Sequence, residues 1–151
     1  MTLSSDRTVR TTCPYCGVGC QMNLHIKDET IHRVSAPFDS APNYGNLCVK
    51  GRFGLDFATH PRRLTKPLIR DGERGSGNFR EVEWDEALEL VAEKLAQIVR
   101  ESGGDSIATY ACAKATNEDN YIFQKWVRAV MKTNNVDHCA RLCHAGSVTG
   151  L

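Results

Sequence analysis

Apolar and polar residues alternate loosely between Gln21 and Val34, with Lys27-Asp28-Glu29 in the middle. Period-two alternation around a polar turn predicts a β-hairpin. Residues 1–12 read as a short polar tail running into a strand. After Phe79 the period changes. Leu88, Val91, Leu95 and Ile98 recur at helical spacing and predict a helix with one buried face. Glu83, Asp85 and Glu86 place negative charge at its start, where the macrodipole favours it. Gly103-Gly104 follows Arg100 and marks the stop. Ser106–Ala111 then reads as a short strand, and Asn117–Lys132 as a second helix with Phe123, Val127 and Val130 on one face. Asn134-Asn135 is a turn, and Val136 onward starts another strand. The stretch from His60 to Asn78 is rich in Pro, Gly and Arg, fits neither period, and reads as a linker or extended crossover. The predicted fold class is mixed α/β. A small β-rich domain over residues 1–66 precedes the incomplete start of a layered α/β domain over 67–151. Ser147–Leu151 carries no cap or polar tail, so the expectation is a fragment, or a subunit completed by other chains.

Composition narrows the function classes. The 151 residues are 41% hydrophobic and 25% charged, ordinary for a globular protein. Nineteen Lys+Arg against eighteen Asp+Glu leave a net charge of +1, with no basic excess to mark a nucleic-acid or anionic-membrane binder. No run of about 18 apolar residues predicts a membrane span. The first ten residues hold no apolar signal core and no twin-arginine pair, which predicts a cytoplasmic location.

Seven cysteines stand out: Cys13, Cys16, Cys20, Cys48, Cys112, Cys139 and Cys143. An odd count without a secretory signal speaks against a disulfide framework and for metal binding or chemistry. Cys13-Pro-Tyr-Cys16-Gly-Val-Gly-Cys20 is C-x2-C-x3-C, and Cys48 follows twenty-eight residues later. Gly17 and Gly19 permit the tight turn that convergence of three thiolates needs. Three close cysteines plus one remote one suit a [4Fe–4S] cube, with one thiolate per iron. Structural zinc is the alternative. It usually takes two separated pairs, whereas the fourth cysteine here stands alone in Leu47-Cys48-Val49.

CPYCGVGC, with Asn46–Gly54 (NLCVKGRFG), resembles the N-terminal cluster domain of the molybdopterin oxidoreductases. The resemblance extends through His60–Leu68 and the helix start at Trp84–Leu88. It implies a small Fe–S domain on larger α/β domains that hold a bis-molybdopterin guanine dinucleotide centre of molybdenum or tungsten. A lysine two residues after the fourth cluster cysteine lies between cluster and pterin in that family. The matching position is Lys50, implied to help electrons pass; a surface lysine is the alternative. The segment from Asp137 to Leu151 (DHCARLCHAGSVTGL) is similar to the active-site segment of formate dehydrogenases. The likeness implies Cys143 as metal ligand and His144 as the neighbouring acid/base or orienting group. It also places Asn117, Asn120 and Lys125 in the pterin-contacting region.

The implied function is two-electron oxidation of formate to CO2, with electrons leaving through the cluster. The alternatives are a non-catalytic [4Fe–4S] electron-transfer module of a larger complex, or a related enzyme such as a nitrate reductase. The implied partners are formate, the remaining catalytic-subunit domains and electron-transfer subunits, with no nucleic acid. The family's catalytic subunits are several times longer, so this chain alone is expected to lack full activity. Cys112 and Cys139 match no ligand position and read as small buried residues. His25, His32, His60 and His138 read as structural or solvent-facing, and Arg62–Arg74 as a solvated connector.

Overall fold

In the computed structural model, which describes residues 5–151, the alternating segment folds as expected. Strand β1 (Arg7–Thr12) pairs antiparallel with β2 (Gln21–Lys27), from Arg7 opposite Ile26 to Thr12 opposite Gln21. β2 pairs antiparallel with β3 (Thr30–Ser35) across a register irregularity at His25/Ile26, giving the sheet order β1-β2-β3. Asp28 and Glu29 carry the tight β2–β3 turn in the left-handed region, at φ 48° and 56°. The first four residues of the predicted polar tail lie outside the described residues.

Two compact units organise the chain. The first comprises Met1–Arg63, Tyr110–Lys125 and Asp137–Leu151. Its core is Cys13, Met22, Val34 and Leu55, with Tyr15, Cys20, Leu24, Ile31 and Leu47 packed against it. The sheet's inward face thus closes on the cysteine-bearing loop. The short helix α1 (Val49–Phe53) follows Cys48, and a 3-10 turn spans Asp56–Ala58. Five residues are too few to show a helical period, and α1 was not visible in the pattern.

The second unit comprises Leu64–Thr109 and Trp126–Val136. The stretch read as a linker contains β4 (Leu68–Arg70), which pairs antiparallel with β5 (Phe79–Glu81). Helix α2 (Trp84–Ser102) follows, with Glu83 as N-cap and Gly103 ending it at φ 78°. Its apolar stripe is present, but the predicted burial is not. Leu88, Val91 and Ile98 are 59%, 53% and 40% exposed. Leu95 is half-buried, and a helix face is buried only where a second layer covers it. The expected 106–111 strand begins later, after a 3-10 turn at Gly104–Ser106, as β6 (Thr109–Ala111). The second long helix, α3 (Asn117–Trp126), gives way to a π turn over Val127–Met131, where Val127 and Met131 are buried. Strand β7 (Val136–His138) pairs with β6, and two short helices follow, α4 (Ala140–Cys143) and α5 (Ala145–Gly150). Among the described residues no helix is long and apolar enough to cross a membrane.

Candidate metal centres

The first-unit sheet explains how three cysteines come together. Thr12 faces Gln21 at the end of the β1–β2 ladder, so residues 13–20 are the connecting loop. The Cys13 N–H donates to the Cys20 carbonyl at 2.8 Å and closes the mouth. Cys13, Cys16 and Cys20 therefore sit on one eight-residue loop. Gly19 takes φ 74°, the left-handed conformation expected of a turn glycine.

Cys48 reaches this loop by a separate route. The buried Asn43 accepts the Gln21 N–H at 2.9 Å and donates to the carbonyls of Gln21 (3.0 Å) and Asn46 (2.8 Å). It thus fastens the segment before Cys48 to the strand after Cys20. Tyr15 donates a short hydrogen bond to the Gly54 carbonyl and packs edge-on against Phe57 at 6.4 Å. That ties the loop to the end of α1. At Gly51 an added Cβ would stand 3.3 Å from the Cys13 sulfur, so the helix approaches closely. Cys48 is the N-cap of α1. The N–H groups of Gly51 and then Lys50 hold its thiol below the ordinary pKa, as a helix N-terminus favours a thiolate. Burial raises the Cys20 thiol, and the sulfurs of Cys13, Cys16 and Cys48 raise it further. All four cysteines are thus near neighbours. Among the described residues no three His, Cys, Asp or Glu side chains converge on a single ion. A four-iron cube takes one thiolate on each of four separate irons, a wider frame than one zinc ion offers.

Asn117, expected near a pterin, donates to the Gly17 carbonyl at 2.7 Å. It starts α3 behind a capping box. The Thr116 hydroxyl accepts the Asp119 N–H, and the Asp119 carboxylate accepts the Thr116 N–H. Asn120 uses its amide on backbone: it accepts the Cys112 N–H and donates to the carbonyls of Cys112 and Thr116, both at 3.0 Å. Lys125 lies over the Tyr121 ring at 5.8 Å. Lys50 is exposed on α1.

Cys143 ends α4, and His144 both closes that helix and precedes α5. The His144 N–H donates to the Ala140 carbonyl at 2.9 Å, and its own carbonyl accepts from Val148 at 3.0 Å. Both residues are exposed, presented at a junction of two short helices. Arg141 pairs with Asp137 one turn earlier, and that guanidinium, followed by the His138 N–H, lowers the Asp137 pKa.

The expectation that Cys112 and Cys139 are merely small and buried does not hold. Cys112 is exposed and Cys139 half-buried. The Cys139 sulfur accepts the Ala113 N–H at 3.3 Å. The Ala113 N–H, then the thiols of Cys112 and Cys143, hold its pKa below the usual value. The histidines behave as expected. His25 bonds Thr8 and Ser35 across the sheet, and His60 accepts the Arg62 N–H.

Two family models match consecutive stretches. The molybdopterin oxidoreductase Fe4S4 domain matches residues 6–60, and the molybdopterin oxidoreductase model matches residues 63–150. The chain belongs to the molybdopterin oxidoreductase family. The chain is 47% identical over 150 residues to the F420-dependent formate dehydrogenase 2 subunit alpha of Methanococcus maripaludis, covering 99% of this chain and 21% of that protein. It is 45% identical over 146 residues to the Bacillus subtilis protein named "Probable oxidoreductase YjgC", covering 96% of this chain and 14% of that one. The chain therefore spans about a fifth or less of the length of these relatives. The acetylene hydratase of Pelobacter acetylenicus shares the fold at a TM-score of 0.69 and 22% identity, over 89% of this chain and 19% of that structure.

Proposed function

We propose that this chain serves the catalytic subunit of a formate dehydrogenase, which oxidises formate to CO2 and a proton and releases two electrons. The observation that carries the reading is Cys143 beside His144, both exposed at the α4–α5 junction. The name of the 47%-identical relative supports formate as substrate. When bound, a molybdenum or tungsten bis-pterin centre accepts the two electrons. Cys143 supplies it a soft thiolate ligand. The His144 imidazole holds or moves the proton beside it, or orients the carboxylate.

Cys13, Cys16, Cys20 and Cys48 are the proposed ligands of one [4Fe–4S] cluster, and Lys50 is the proposed aid to electron passage. The donor set fits: four thiols gathered by one closed loop and one helix N-terminus. Asn117, Asn120 and Lys125 are the proposed pterin contacts. Asn117 also holds the cluster loop through Gly17, and Asn120 shapes the 112–116 segment. The proposed division is a cluster domain over 1–66 and the start of the pterin domain over 67–151. The proposed setting is cytoplasmic, with the remaining catalytic domains and electron-transfer subunits as partners.

Anaerobic purification of the complete protein tests the reading. Molybdenum or tungsten together with iron, and formate-dependent reduction of a one-electron dye, support it. Iron alone would favour a non-catalytic electron-transfer module. Nitrate reduction with formate ignored would reassign the Cys143-His144 pair.

A further inference from the structure

Three thiols meet in the first unit outside the four cluster cysteines. Cys139 is central: Cys112 neighbours it on one side and Cys143 on the other. Backbone register explains one of these neighbours. The Cys139 N–H donates to the Ala111 carbonyl at 3.3 Å. The Ala113 N–H donates to the Cys139 sulfur, also at 3.3 Å. These two bonds bracket Cys112, so Cys139 stands directly opposite it, with both thiols on one side. Strand neighbours lie about 4.8 Å apart, within the roughly 4.4–6.8 Å Cα separation that a disulfide spans. The other neighbour follows from one helical turn. The Cys143 N–H donates to the Cys139 carbonyl at 3.3 Å, and the two side chains share a face. Cys112 and Cys143 are both exposed, and Cys139 between them is half-buried.

We propose that Cys112, Cys139 and Cys143 form a thiol relay that restores Cys143 after attack by hydrogen peroxide. The value of a reduced Cys143 rests on its proposed ligand role; the sulfur chemistry does not. Peroxide transfers one oxygen to the Cys143 thiolate, giving a sulfenic acid and hydroxide. The Cys139 sulfur attacks the Cys143 sulfur, and the hydroxyl leaves as water. Cys112 then attacks the Cys139 sulfur of the new disulfide, and Cys143 departs as a thiolate. The net change is one peroxide and two thiols to one disulfide and two waters. Cys112 and Cys139 supply both electrons. An external dithiol resets the pair by disulfide exchange.

The sequence makes the mapping direct. Trypsin cuts after Lys114, Lys132 and Arg141, which places Cys112, Cys139 and Cys143 on three different peptides. The reduced, metal-free chain is treated with one equivalent of hydrogen peroxide under dilute conditions, alkylated, digested and analysed by mass spectrometry. The expected product is a Cys112–Cys139 crosslink with Cys143 alkylated. Cys112→Ser stops the relay one step early and accumulates the Cys139–Cys143 crosslink. Cys139→Ser leaves a Cys143 sulfenic acid that dimedone traps. Wild-type chain with Cys143 over-oxidised to the sulfinic acid, and Cys112 and Cys139 both alkylated, would overturn the relay. A Cys112–Cys139 crosslink forming at the wild-type rate in Cys143→Ala would overturn Cys143 as the point of entry. The wild-type map decides the pairing without any variant having to fold. It also contains no formate step, so it fails or succeeds separately from the proposed function.

Discussion

The two thiol-rich regions of the first unit are built in opposite ways. The 13–20 loop is closed at its mouth by the Cys13–Cys20 backbone bond and fastened by Asn43, Tyr15 and Asn117, whose partners lie 22, 39 and 100 residues away. The 139–144 segment is tied to residues 111–113 at Cys139, continues from Ala140 on bonds within a few residues along one-turn helices, and leaves Cys143 and His144 exposed. The first region carries its own framework. The second has one long-range tie, at Cys139, and presents Cys143 and His144 on local helical bonds beyond it. A metal site needs its supporting shell as much as its ligands. The difference therefore separates a proposed centre whose thiols are framed by long-range bonds from one whose proposed ligand stands exposed.

Removing a thiolate from the framed region should have the largest effect. After anaerobic reconstitution, wild type should hold about four irons and four sulfides per chain. Cys48→Ser should lose the cluster spectrum, while Cys112→Ser should keep it. Zinc bound stoichiometrically without labile sulfide would contradict the cluster. In the open region the expected effect is kinetic. His144→Ala in the complete enzyme should lower kcat by roughly 10²–10⁴-fold with metal content retained, as general acid–base groups do; metal analysis beside steady-state kinetics checks it. Cys143→Ser should change the metal's electronic spectrum. The frame itself is tested at Asn43. Its three backbone bonds contribute about 1 kcal/mol each, so Asn43→Ala should lower unfolding free energy by on the order of 3 kcal/mol and weaken cluster retention. Urea denaturation with iron counts reads both. Lys50→Ala should slow turnover with little change in the KM for formate; unchanged turnover with normal cluster reduction would remove Lys50 from the electron path.

The smallest effect should come from His25. Burial first, then the charges of Arg33 and His32, lower its pKa in the folded chain. The unfolded chain binds that proton more readily, so stability rises with pH in this window. His25 destabilises progressively as pH falls from about 6.5, its unfolded value, towards the lowered folded value. Melting temperatures of wild type and His25→Gln, compared at pH 7.5 and 5.5, should differ in their pH dependence, with wild type losing more on acidification.

Local patterns carried much of this structure into the sequence. Alternation located β2 and β3, helical spacing located α2, and cysteine spacing with two glycines located the closed loop. The rest depends on distance or on brevity. β4 and β5 have three residues each, too few for a period, inside a stretch whose Pro and Gly content reads as a linker. The burial of α2 could not be judged, because a stripe predicts a partner and not its presence. Asn43 is a polar residue whose role is to satisfy backbone groups of Gln21 and Asn46; only the turn-like Asn-Tyr-Gly-Asn hinted at it. The pairing of Cys112 with Cys139 arises from a register across twenty-seven residues, which spacing along the chain does not encode.

The closed loop also sets an order of assembly. Contacts between near neighbours form faster than distant ones, because less chain entropy is lost before the first reward. The β1–β2 ladder joins residues only seven positions apart at its mouth, from Cys13 to Cys20. Cys48 comes into place only when Asn43 meets Gln21, across twenty-two residues. Three sulfurs are therefore collected first and the fourth arrives afterwards. During synthesis the nascent chain holds three of the four proposed cluster cysteines before it owns the fourth, and Cys48 becomes the latch that closes the proposed site.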